Sequence, residues 1–165
     1  MKKTIIITLA LVFALSLIFA GCGKVEEIAN TPIVDSVFTV SQIYDKVKEV
    51  AGFGGMTAVP QRDYSDIYGI DASKISESVW YMSENPSLNA DEVAIFKLSD
   101  SSYADTLAGI FRDRISRQLE VAKTYSPDEA GKLEKAEVVV AGSYVYYCVG
   151  KASDAMMAVF KTLIK

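Results

Sequence analysis

The chain has 165 residues, with 17 Lys and Arg against 21 Asp and Glu and a formal net charge of −4. That balance lacks the clustered cations that hold nucleic-acid phosphates. Histidine is absent altogether, which removes the commonest general base, the commonest metal ligand and every Ser-His or Cys-His nucleophile arrangement, so neither a metal nor a cofactor is expected.

Residues 1–22 read MKKTIIITLALVFALSLIFAGC. Lys2 and Lys3 precede an uncharged run from Thr4 to Ala20, and the segment closes on Ala20-Gly21 before Cys22. Charged, apolar and small residues in that order form a secretory signal peptide. The box Phe19-Ala20-Gly21-Cys22 resembles the cleavage site of bacterial lipoproteins, with Phe19 where that pattern usually holds Leu. A run of 17 uncharged residues is at the short limit for a membrane span, and no stop-transfer charges follow it. The expected organisation is a signal peptide over 1–21, a lipidated Cys22 and tether over 22–37, and one folded domain over 38–165. Two acyl chains on Cys22 suffice for stable anchoring, since each buried CH₂ contributes about 0.8 kcal/mol. Loss of residues 1–21 leaves 15 basic against 21 acidic residues, a net charge of −6. Anionic head groups do not attract such a surface, so the acyl chains alone would hold the protein to the outer face of the cytoplasmic membrane. As a flexible coil the tether, residues 23–37, would span about 20 Å.

The folded part opens with a helix capped by Ser41 and running to about Ala51, with Ile43, Val47 and Val50 as its apolar stripe. Gly52 ends it. Phe53-Gly54-Gly55-Met56 is an apolar glycine loop, read as a connector or as a lid that touches lipid; its glycines do not fit a dinucleotide fingerprint. Residues 63–71 gather Asp63, Asp66 and Asp71 with two tyrosines in turn and capping roles, without the spacing of a calcium loop. Asp71 opens a single helical turn. Ser78 to Ser83 and Glu92 to Leu98 are aromatic and branched strands that pair across a long loop.

The longest helix starts at Ser101 or Ser102 and runs to about Tyr125. Tyr103, Leu107, Phe111, Ile115, Leu119 and Ala122 form its buried face. The other face carries Arg112, Arg114 and Arg117. This cluster could grip a phosphate or carboxylate; the plainer reading is a solvated face balanced by Asp113 and Glu120. Ser126-Pro127-Asp128-Glu129 is a capping box that starts a short helix to about Leu133. Ala136 to Ala141 and Tyr144 to Val149 form a second hairpin, and Ser153 caps a last helix ending near Ile164. The fold class is α+β: helices on a four-stranded antiparallel sheet of two hairpins, in the order α-β-β-α-β-β-α. With Cys22 lipidated, Cys148 is alone and reads as a small buried hydrophobe.

Tyr68-Gly69-Ile70-Asp71, Asp91-Glu92-Val93-Ala94-Ile95-Phe96-Lys97, Arg114-Ile115-Ser116-Arg117-Gln118, Tyr125-Ser126-Pro127 and Gly142-Ser143-Tyr144 resemble a family of small lipoproteins of Gram-positive bacteria. That family is known only as a domain of unknown function. The resemblance implies a lipid-anchored extracytoplasmic domain and carries no catalytic residue with it.

Three functions compete. The first is a non-enzymatic module that binds an envelope protein or peptide. The second is an accessory subunit of an envelope complex. The third is an envelope hydrolase using a carboxylate pair drawn from Asp63, Asp66 and Glu92. For the binding reading, a three-residue loop 141–143 sets Val140 opposite Tyr144 and Val138 opposite Tyr146. With that side assigned to the long helix, Val139, Val145, Tyr147, Val93 and Ile95 fall on an apolar sheet face that is either an open partner surface or covered by the first helix, residues 41–51, or the tether.

Overall fold

A computed structural model describes residues 36–164; the signal segment, Cys22 and the tether up to residue 35 lie outside the described residues. Helix α1 (Val40–Ala51) leads into strand β1 (Met56–Ala58), the short helix α2 (Asp63–Asp66) and the hairpin of β2 (Ile75–Ser83) and β3 (Glu92–Leu98). The long helix α3 (Ala104–Tyr125) and the short α4 (Pro127–Leu133) follow. A second hairpin, β4 (Val139–Ala141) and β5 (Tyr144–Val149), precedes the last helix α5 (Ser153–Leu163). None of the described helices is long and apolar enough to cross a membrane.

All strand pairs are antiparallel, in the order β1-β2-β3-β5-β4. The sheet therefore has five strands rather than the expected four. The additional one is β1, three residues long and set after the glycines. Its length is too short for an alternating pattern to show.

The caps differ from expectation in instructive ways. Helix α1 is capped by Thr39, whose hydroxyl accepts from Gln42 N while the Gln42 side chain accepts from Thr39 N. This is a capping box two residues before Ser41. Ala51, not Val50, completes its buried stripe; Val50 is exposed. Asp71 does open a helical turn, accepting from Ser73 N at 3.0 Å. Ser126 makes no side-chain cap; its N–H continues the α3 ladder to Ala122 O, and the Glu129 carboxylate accepts from Ala90 N in the β2–β3 loop. Ser153 sits just inside α5 and donates its hydroxyl to Gly150 O.

The sheet is covered on both faces, which makes three layers. Ala94, Phe96, Leu98, Val145, Tyr147 and Val149 pack with Leu107, Phe111 and Ile115 of α3. Val93, Ile95, Tyr144, Tyr146 and Cys148 pack with Ile43 and Val47 of α1 and Met156 and Phe160 of α5. A strand buried on both sides reads as a continuous apolar run, and YVYYCV in β5 is one.

This arrangement removes the expected partner surface. Val93, Ile95, Val145 and Tyr147 are all 0 % exposed, and Val139 is half-buried against the α1–α5 side. Nor do the five share a face. The second hairpin turns in two residues, Gly142-Ser143, with Gly142 at φ 58°, so Ala141 pairs with Tyr144 and Val139 with Tyr146. A shift of one residue against the expected register moves every side chain of β4 to the opposite face. α1 and α5 then cover Val93, Ile95 and Val139, while α3 covers Val145 and Tyr147.

Cys148 is 1 % exposed. Burial, reinforced by the nearby charge of Asp154, pushes its thiol up to about 12. A thiol-reactive chromogenic reagent at pH 8 should therefore leave Cys148 unmodified in the native protein and react fully in denaturant. Fast native labelling at this residue would contradict the packing.

Candidate functional site

Strand β3 presents Glu92, Ala94, Phe96 and Leu98 toward α3, so a carboxylate heads an otherwise apolar row. Glu92 is 1 % exposed. A charge so placed must be met by hydrogen bonds or be expelled, and five donors meet this one. Oε1 accepts from Trp80 Nε1 at 2.6 Å, from Arg114 Nε at 2.9 Å and from the Tyr147 hydroxyl. Oε2 accepts from Arg114 Nη2 at 3.0 Å and Gln118 Nε2 at 3.2 Å. The arginine is thus bidentate, the strongest geometry for a carboxylate. Its guanidinium also lies 5.2 Å from the ring of Tyr68 and 5.3 Å from that of Trp80. Both rings contribute cation–π attraction.

The electrostatics follow from this contact. Burial alone would lower the Arg114 pKa, but the hydrogen bonds and charge of Glu92 outweigh it and the net shift is upward. Tyr147 is raised well above its ordinary 10.0, first by burial and then by the Glu92 charge, with Arg114 opposing.

A second polar cluster begins one residue earlier. Lys132 Nζ, on α4, donates to Asp91 at 2.8 Å and to Asn89 at 3.0 Å, and pairs with Glu129 at 2.9 Å. Glu129 also accepts from Ala90 N at 2.7 Å. Desolvation lowers the lysine pKa; the hydrogen bonds of Asp91 and Glu129 more than restore it. The cluster pins the end of the β2–β3 loop to α4.

Pinning that loop leaves an open cleft between it, the second half of α3 and α4. The cleft has a volume of about 540 Å³ and an apolar floor that includes Val121, Ala122 and Leu133. Arg117, Gln118, Tyr125 and Asn89 stand at its rim. A second cleft of about 430 Å³, bounded by Ile67, Tyr68, Ile110 and Arg114, shares Arg117 and Gln118 with the first. Of the eight large apolar side chains left exposed among the described residues, three line these clefts: Ile67, Val121 and Tyr125.

The sequence-derived candidates are thereby separated. Glu92 is engaged by five donors within the core, while Asp63 pairs with Arg62 at the surface, at 3.4 Å. None of the hydrogen bonds to Glu92 comes from α2, and the three acids do not form a shared open site. Arg114 is structural, but its partner is Glu92 and not Asp113. Glu120 pairs with Lys123 instead, so Arg117 has no ion pair among the described residues. Trp80, Gln118 and Lys132 were not anticipated. The available signal was a glutamate at the first inward position of an apolar strand, facing an Arg and a Gln four residues apart on the long helix.

Glu92→Gln should cost about 3–5 kcal/mol in urea unfolding, because it strands the Arg114 charge. Glu92→Leu combined with Arg114→Leu should lose less than the sum of its two single variants. Strict additivity would mean that the contact is energetically empty.

Tyr147 adds a pH dependence. Its folded pKa is raised, so above pH 10 the unfolded chain releases a proton that the folded one keeps. Stability is then full below that pH and falls as pH rises. Tyr44, Tyr64 and Tyr146 are also raised by burial and act in the same sense. Unfolding free energies measured from pH 8 upward should fall in the alkaline range. The fall should be shallower in Tyr147→Phe, although that variant starts less stable.

Residues 49–150 match the family model Domain of unknown function (DUF4358), and the chain belongs to that family. The match takes in both polar clusters. No curated protein and no solved structure matches the chain.

Proposed function

We propose that this member of the DUF4358 family is a non-enzymatic binding module, held at the outer face of the cytoplasmic membrane by lipid on Cys22. Its contact surface is the cleft along the second half of α3, and its partner is an envelope protein or peptide. The observation that carries the reading is the division of polar groups. Glu92 and Arg114 satisfy each other, and Lys132 is met by Asp91 and Glu129. The open cleft beside them instead offers apolar side chains and one cation, Arg117, without an ion pair among the described residues. A concave, mostly apolar surface with a few convergent polar groups is the usual form of a binding site. The anchor rests on Ala20-Gly21-Cys22 after the uncharged run.

Photo-crosslinking on intact cells tests the surface. A photoreactive residue at Val121 or Tyr125 should give a discrete adduct, and one at Thr162, on α5, should give none. With the photoreactive residue placed instead at Ser87, across the same cleft, Val121→Asp together with Tyr125→Asp should abolish the adduct while leaving stability nearly unchanged, since both sites are exposed and such substitutions usually stay within about 0.5 kcal/mol. Adducts of equal strength at Thr162 would overturn the assignment.

A further inference from the structure

We infer that the two clefts along α3 form one furrow for an extended peptide segment with an acidic residue at its centre and apolar side chains on either side. The inference rests on the proposed binding role and specifies the ligand.

The furrow follows one stripe of α3. Ile110, Arg114, Arg117, Gln118, Val121 and Tyr125 recur at three- and four-residue intervals, so they lie along one side of the helix. From residue 110 to 125 a helix rises about 22 Å. A chain extended at about 3.3 Å per residue covers that length in roughly seven residues, more than a compact metabolite spans.

The chemistry along the stripe is ordered. At one end Ile67, Tyr68 and Ile110 offer apolar surface. At the other, Val121, Tyr125 and Leu133 do so. Between them stands Arg117, exposed and without an ion pair among the described residues. Arg114 beside it is already neutralised by Glu92. Arg117 is therefore the one furrow charge left to seek a carboxylate, and its planar fork suits one in bidentate geometry.

Gln118 adds a backbone requirement. Its Nε2 is committed to Glu92, which fixes the amide orientation. Its Oε1 is buried and accepts no hydrogen bond among the described residues. This unmet acceptor lies beside the junction of the two clefts and is reached once the lining shifts to uncover it; a peptide supplies an N–H for it at nearly every residue. Ser87 and Ser126 line the same cleft and can serve further amides. An anionic polymer without amides or apolar side chains would satisfy Arg117 and leave the rest of the furrow unused.

The full chain in detergent should be tested on an array of heptapeptides. The central residue is fixed as Glu, Asp, Gln or Lys, and the flanking positions are mixtures of Leu, Val, Phe and Ala. Peptides centred on Glu or Asp should bind at least tenfold tighter than those centred on Gln. Arg117→Glu should invert that order in favour of Lys. Polyacrylate, which has carboxylates but neither amides nor apolar side chains, should compete at least tenfold more weakly than a Glu-centred heptapeptide. Equal binding of Glu- and Gln-centred peptides, or competition by polyacrylate as strong as by the heptapeptide, would overturn the inference. An array without binding would also overturn it. Adducts from Val121 on cells would then show that the cleft reading survives and only the ligand class is wrong; loss of both would remove the two together.

Discussion

A carboxylate carried into an apolar layer must find its hydrogen bonds there. Three elements supply them, β2 through Trp80, β5 through Tyr147, and α3 through Arg114 and Gln118, all around Glu92 on β3. An apolar helix–sheet contact by itself tolerates a helix that slides by a turn. Five donors on two oxygens are met in one position only. The cluster therefore sets which turn of α3 lies over which strand, and the rest of that layer packs around the choice. Stability is a lesser part of its contribution, since an apolar replacement of similar volume is often as stable as a buried pair.

The neighbouring residue extends the same logic outward. Asp91 stands next to Glu92, yet its partner lies on α4 and not on α3. One strand end thus fixes the long helix with one residue and the short helix with the next. The β2–β3 loop, held at Asn89, Ala90 and Asp91, cannot fold down onto Val121 and Ala122. The cleft is the space that remains. Its shape follows from how the two acidic residues are satisfied, while Val121, Ala122 and Tyr125 in its lining take no part in that satisfaction.

The sequence reveals the elements better than their placement. β3 was legible to the residue, and α3 nearly so, because long periodic segments declare themselves. β5 was equally legible as an element, but a run buried on both sides carries no alternation to say which side faces which helix. That ambiguity, with a turn one residue shorter than expected, moved Tyr147 from the imagined surface to the centre of the core. The Arg114–Glu92 contact spans 22 residues, and no local rule connects such positions. Sequence reasoning offered Asp113 because helical neighbours are what a one-dimensional reading can see. Glu92 was noticed as an acid; nothing local told that its environment would be tryptophan, tyrosine and arginine. β1 lay below the length at which pattern means anything.

The two outermost strands deserve a last consideration. β1 covers only Tyr81–Ser83 of β2, and β4 only Tyr144–Tyr146 of β5. Each sheet edge is therefore stepped, with three residues of outer strand and then a retreat to the strand behind. On the β2 side the retreating part also carries an irregularity between Ile75 and Glu77. A neighbour seeking to extend the sheet finds no long, straight row of free amides and carbonyls to zip onto. Copies crowded side by side, at whatever density a shared surface imposes, can collide edge to edge without fusing into a continuous ribbon.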